Sequence, residues 1–288
     1  MSAQALLLTA LNQRTETYFA ERKRCKAEFS DEAVHDLRVA VRRLLALIDL
    51  LRVIAPHPDL QKLRRAFKDR LDSLDQVRDT QVMLAEISET LAALPELVPL
   101  QKFLLKREKR LLTAAEQDVR ASKVGSISHL IEDVRTGLEE HGDGQNLTQR
   151  LLAVVDDTNL TVAQRKRQVD PAQPSSIHQV RIAFKKFRYT LEIIQPIVPG
   201  FPETQFKDMH QYQTVMGEIQ DVEVLLRTLG DFAADHTGYD PQPVRRFYEK
   251  RHGELINVYI ENMHEFVTFW RETPDKPFPW EPQKKDTP

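Results

Sequence analysis

A ten-residue block occurs twice in this chain. His35-Asp36-Leu37-Arg38-Val39-Ala40-Val41-Arg42-Arg43-Leu44 returns as His178-Gln179-Val180-Arg181-Ile182-Ala183-Phe184-Lys185-Lys186-Phe187, every position displaced by 143 residues. The same displacement carries Arg22-Lys23-Arg24 onto Arg165-Lys166-Arg167. Asp79 and Val82 answer to Asp221 and Val224 at 142, and Phe103, Lys106, Arg107 and Leu111 answer to Phe247, Lys250, Arg251 and Leu255 at 144. Matches in one order at a nearly constant offset restrict the chain to an architecture built from two copies of one unit.

That unit is helical. Only 9 of 288 residues are Gly, well below the usual ~7%. Leu, Ala, Glu, Lys, Arg and Gln are abundant, a composition that disfavours sandwiches, barrels and Rossmann-type sheets. Apolar periodicity predicts helices near 3–28, 33–54, 59–93, 100–121, 126–140, 148–168, 176–195, 203–231 and 243–270, broken at Pro and Gly clusters. The expected fold is all-α: two tandem pseudo-symmetric four-helix bundles from an internal duplication. The first repeat covers 1–140, with the helix at 126–140 extra to it; 141–147 is a linker, 148–270 the second repeat and 271–288 a Pro-rich tail. The tail is expected to be extended, with Phe278 and Trp280 able to dock on a groove.

Plotted at about 100° per residue, the block separates into two faces. With His35 at 0°, Arg42 falls at about 340° and Arg38 at about 300°, while Val34, Leu37, Val41, Leu44 and Ile48 share the adjacent arc and must face a core. The second copy places His178, Arg181 and Lys185 in the stripe and Ile177, Val180, Phe184, Phe187 and Leu191 in the core. Arg43 and Lys186 lie to the far side of the stripe, and Arg188 at its apolar edge.

A solvated helix face normally alternates Glu with Lys or Arg four residues apart. On the stripe's own arc the only acids are Asp49 and Glu192, at the far end, Asp36 lying about 100° away. Lys102, Lys106, Lys109 and Arg110 form another basic run, and cations brought together by a fold imply a missing polyanion. A single basic run is ordinarily just a wet surface; here His, two cations and their spacing recur while the neighbours diverge. Asp79 and Asp221 are expected to pair with a basic neighbour and orient it. The net charge of −2 marks no nucleic-acid binder by itself.

Catalytic signatures are missing from the text of the chain. There is no GxxxxGK[ST], no GxGxxG after a strand, no HExxH, no GxSxG and no acidic cluster suited to two metals. The single cysteine, Cys25, excludes an intramolecular disulfide and fits a reducing, cytoplasmic setting. No signal peptide is expected at Met1–Leu11, and no apolar window is long enough to span a membrane. No cofactor and no bound metal are expected.

His35-x-x-Arg38-Val39-x-x-Arg42-Arg43-Leu44 and His178-x-x-Arg181-Ile182-x-x-Lys185-Lys186-Phe187-Arg188 resemble the signature of the CHAD family, the conserved histidine α-helical domain. Leu74-x-x-Val77-Arg78-Asp79-x-x-Val82 and Met216-Gly217-Glu218-Ile219-Gln220-Asp221-x-x-Val224 resemble its second segment, and the likeness spans about residues 1–270. The resemblance implies paired four-helix bundles, a basic cavity that binds inorganic polyphosphate without catalysis, and an association with polyphosphate granules. It assigns polyphosphate contact to His35, Arg38, Arg42, Arg43, His178, Arg181, Lys185, Lys186 and Arg188. The repeated cations Arg22, Arg165, Lys106 and Lys250 join them as candidates on the strength of their duplication. Two departures stand out: Leu45 where the second copy has Arg188, and Asp75 where it has Gly217. Rival readings are another polyanion such as a nucleic acid, for which the stripe offers little base-stacking surface beyond Tyr189, and a histidine phosphotransfer module. Hydrolysis of polyphosphate lacks a metal-binding set in the sequence.

Overall fold

The computed structural model describes residues 2–121, 124–141 and 146–281. Most of the expected 141–147 linker and the end of the Pro-rich tail lie outside the described residues. Helices occupy α1 (Ala3–Glu28), α2 (Asp31–Ile54), α3 (Pro58–Thr90), α4 (Val98–Ala121), α5 (Val124–His141), α6 (Leu147–Arg167), α7 (Ser175–Ile194), α8 (Gln205–Asp235) and α9 (Gln242–Asn262). Among the described residues there is no strand.

Helix boundaries follow side-chain chemistry. The Ser2 hydroxyl accepts from the Ala5 N–H at 3.1 Å and the Ser30 hydroxyl from the Ala33 N–H at 3.2 Å, satisfying N–H groups that have no partner within their helices. Asp31 and Glu32 add negative charge to the first turn of α2. Pro58 opens α3, where a missing N–H costs nothing.

In the first half α2 packs on both α1 and α3, and α3 on α4; in the second, α7 packs on α6 and α8, and α8 on α9. The halves then meet through α2 against α7 and α3 against α8. All ten residues expected on the two core arcs, from Val34 to Ile48 and from Ile177 to Leu191, are buried. They belong to one apolar core that runs through both halves. A second core joins the far ends of α3 and α4 to α8 and α9, with Ile87, Leu97 and Leu104 in the same cluster as Leu229, Phe232 and Tyr248. The two halves therefore fold against each other and share what each buries.

The extra helix α5 buries Ile127, Ile131, Val134 and Leu138, one stripe at helical spacing, against α3 and α1. The Gln4 side-chain amide donates to the Leu138 and Glu139 carbonyls at 2.8 and 3.1 Å, covering acceptors at the end of α5. Near the C-terminus the tail docks rather than running free. Phe278 is buried, its ring stacks on Trp280 at 4.9 Å, and the Trp280 indole donates to the Pro199 carbonyl at 3.1 Å.

Candidate functional site

Where the two halves meet, α2, α3, α7 and α8 enclose a cavity of about 520 Å³. From α2 come His35, Arg38, Arg42 and Arg43; from α7 come His178, Arg181, Lys185 and Arg188. Helix α3 supplies Asp75, Arg78, Asp79 and Val82, and α8 supplies His210, Gln213, Gln220, Asp221 and Val224. The lining holds seven Arg and Lys side chains and three carboxylates. Both copies of the repeated block thus open into one space. The shared apolar core explains this, because burying the two core arcs against each other turns the adjoining basic stripes toward a common opening.

Electrostatics differ between the halves. In the first, Asp75 bonds Arg38 through its Nε and Arg42 through its Nη2, the latter at 3.1 Å. In the second, Gly217 occupies the matching place, and a Cβ there would sit 3.8 Å from Arg181 Nη2. A Cβ there would be in ordinary contact with the guanidinium, and what glycine removes, relative to Asp75, is the counter-charge. His178 Nδ1, Arg181 Nε and Arg188 Nε are buried without a hydrogen-bond partner among the described residues, and the two arginine N–H groups leave donor capacity unused beside the cavity.

Titration shifts follow from this crowding. Burial, then the neighbouring Arg42, Arg181 and Arg38, pushes the Lys185 ammonium down to about 7. Burial, and beyond it Arg78 and Arg38, holds His35 below its ordinary range; burial and Arg181 do the same to His178. Arg181 is lowered for the same first reason. Asp79 and Asp221 are raised, chiefly by burial. Each of these shifts disfavours charge, and an anion in the cavity would favour it again on every cation.

Several expectations need correction. Among the described residues Asp79 and Asp221 face the cavity without a direct ion pair or hydrogen bond to a basic neighbour, feeling Arg181 only at longer range; Asp75 makes the direct contacts. Arg22 is buried, and its Nη2 donates to the Val119 carbonyl at 3.1 Å near the end of α4. It holds two helices together and does not reach the cavity. Lys186 is exposed and outside the lining, since one helical step from Lys185 turns it away. Lys106 is exposed on α4, which flanks α3 and does not line the cavity. Lys250 is exposed on α9, 3.8 Å from Glu254, and Arg165 lies at the exposed end of α6, 3.4 Å from Gln168. The basic run on α4 therefore belongs to the outer surface.

Beside the segments already singled out in the sequence, the cavity takes in residues not assigned to it, Arg78, His210, Gln213 and Gln220. Asp75, Arg78, Asp79 and Val82 fall on one face of α3, and His210, Gln213, Gln220, Asp221 and Val224 on one face of α8. The helical spacing around the repeated Asp-x-x-Val segment marks that face. Among the described residues no group of His, Cys, Asp and Glu is arranged to hold a metal ion, and no helix is long and apolar enough to cross a membrane.

Comparisons with known proteins bear on the fold and the family. A search of curated proteins returns no match. Among solved structures, the crystal structure of the CHAD domain from the plant Ricinus communis superposes with a TM-score of 0.68 at 20% identity. The match covers 93% of this chain and 90% of that one, a likeness of fold. The family model for the CHAD domain matches residues 9–230, and the chain belongs to that family.

Proposed function

We propose that this protein binds inorganic polyphosphate in the cavity between its halves, without a catalytic step. The observation that carries the reading is the convergence of seven cationic side chains from three helices on one concavity with three carboxylates. Arginine forks suit pairs of phosphate oxygens, and Lys185 adds a mobile point charge. Family membership supports the same ligand class. The matched packing of α1–α4 and α6–α9, with the matched sequence blocks, supports an origin by duplication, with repeats at 1–140 and 148–270. We infer a cytoplasmic place of action, at polyphosphate granules, from the family's association with such granules.

A nucleic acid is the second reading, since phosphates attract the same cations. Tyr189 is the one Phe, Tyr or Trp in the cavity lining, which leaves successive bases almost nothing to stack on.

Calorimetric titration of long-chain polyphosphate at two salt concentrations tests the proposal, with Arg38→Glu/Arg181→Glu as control. Tight binding that weakens with salt and is lost in a folded double mutant is the expected result. No binding by the folded wild type would end the reading. Short RNA that displaces polyphosphate at equal phosphate concentration would favour the nucleic acid instead.

A further inference from the structure

The cavity continues beyond the repeated blocks. A neighbouring groove of about 520 Å³ is lined by Gln13, Arg14 and Thr17 of α1, Arg43 of α2, Arg188 and Glu192 of α7 and Phe206 of α8. Arg43 and Arg188 line both spaces, so the two adjoin at these side chains. Glu192 sits 3.7 Å from each of the two guanidinium groups. Those distances are longer than a close charged contact, and the pairing leaves both arginines able to turn to another anion.

Arg14 stands at the far side of this groove. Its Nη1 donates to the Arg43 backbone carbonyl, which fixes the guanidinium at the groove wall with its remaining N–H groups uncommitted to any carboxylate. No acid lies in ion-pair contact with it among the described residues. Burial above all, and to a lesser degree repulsion by the neighbouring Arg43, lowers its pKa to about 10, while Glu192 across the groove acts the other way. An anion in the groove would relieve this repulsion.

Two further observations give the path a direction. On the other side, a groove of about 220 Å³ that shares Arg78, Val82 and Asp221 with the cavity carries Glu86, Glu89 and Glu218, with Arg251 paired to Glu86 as its one further cation. A polyanion leaving the cavity there meets like charge. The positions matching Arg14 and Arg188 at the 143-residue displacement hold Asp157 and Leu45, so the basic groove is built on one side only.

Resting on the polyphosphate reading, we propose that the groove of Arg14, Arg43 and Arg188 is a second subsite. A long chain threads from the cavity between Arg43 and Arg188 and continues along α1, displacing Glu192 and ending its contacts on Arg14. Arg14 then contributes nothing to a ligand short enough to stay in the cavity, and chain-length preference resides in this groove.

The test titrates tripolyphosphate and long-chain polyphosphate into wild type, Arg14→Gln and Gln13→Lys. Arg14→Gln should weaken the long chain about tenfold, the effect of one lost charge-assisted contact, and reduce its salt dependence by about one phosphate contact. Tripolyphosphate affinity should stay unchanged. Gln13→Lys, a change on an exposed residue that threatens no core, should tighten the long chain alone. Equal effects on both ligands, or none on the long chain with either variant, would overturn the second subsite while leaving the cavity reading intact. Wild type that binds neither ligand would remove the reading and the subsite with it.

Discussion

Asp75 is the residue whose replacement best separates a binding cavity from a merely charged one. Its carboxylate holds Arg38 and Arg42, with side-chain exposures of 29% for Asp75, 12% for Arg38 and 20% for Arg42. Exposed ion pairs contribute about 0–1 kcal/mol, while removing one partner of a buried pair costs about 3–5 kcal/mol. This cluster lies between, and Asp75→Asn should lower the stability of the free protein by roughly 2 kcal/mol. Asparagine keeps the shape; glycine, which would copy Gly217, adds a helix cost of about 1 kcal/mol and blurs the measurement.

Binding should move the other way. In the wild type an incoming phosphate must take Arg38 and Arg42 from Asp75 or share them against its negative charge. Without the carboxylate, the free protein holds two uncompensated guanidinium groups that the ligand satisfies. Recovering 1–2 kcal/mol of that cost on binding corresponds to about a tenfold gain in polyphosphate affinity. Thermal unfolding and calorimetric titration on the same preparation read both quantities. If the aspartate instead serves to aim the arginines, the variant will bind more weakly as well as melt earlier, and the reasoning about competition fails.

Lys185, lowered to about 7 in the free protein, gives a pH signature with two opposite signs. The unfolded lysine keeps its proton up to about 10.4, so the unfolded state binds more protons above pH 7 and the free protein gains stability from this group as pH rises from 7 toward 10. Polyphosphate restores the proton, so affinity should fall over the same interval; Lys185→Met should flatten both trends in melting and titration series. Asp156 accepts from the Trp270 indole at 2.7 Å and from Arg271 at 2.9 and 2.6 Å, with both charged side chains largely buried. Asp156→Ala should cost about 3 kcal/mol in denaturant unfolding while leaving polyphosphate affinity unaltered. Arg22→Met should lower the melting temperature through loss of its contact with α4 and, unlike Arg181→Glu, leave binding intact; a matching loss of affinity would return Arg22 to the site.

What the sequence revealed about the fold was the part controlled by local period. The core arcs of α2 and α7 were legible because a residue's face follows from its position along the helix, and α5 was legible for the same reason. Which two faces meet across the molecule was not, because that depends on the packing of α2 on α7 and α3 on α8, contacts between residues more than a hundred positions apart. Arg22 shows the limit for individual cations. Its repetition at Arg165 suggested a shared ligand, yet one side chain is buried on a carbonyl and the other is exposed. Charge pattern records where a cation sits on a helix and says nothing of the acceptor that waits across from it. Asp75 was visible as a departure from Gly217, but its hold on Arg38 and Arg42 required the distance between α2 and α3. Arg14 belongs to no repeated block, and only the groove singles it out.

Taken alone, the net charge of −2 opposes a polyanion ligand. Distance resolves the conflict. At physiological ionic strength the Debye length is about 8 Å, so carboxylates on outer faces are screened from a ligand in the cavity while those lining it are not. Many of the acids pair locally on the outside, as Glu28, Glu32 and Asp36 do around Arg24 and Glu132 and Glu139 around Arg135. Inside the cavity the balance is seven cations to three carboxylates, and low-dielectric walls strengthen each interaction there. On the polyphosphate reading, this layout concentrates attraction at the cavity, for a ligand slender enough to enter, even with the basic run of α4 on the outer surface. Placing added charge tests this: a lysine introduced on an outer face should leave polyphosphate affinity nearly unchanged at 0.15 M salt, whereas one at Gln213, inside the cavity, should tighten it. Equal effects from the two positions would mean that net charge, and not the cavity, governs binding.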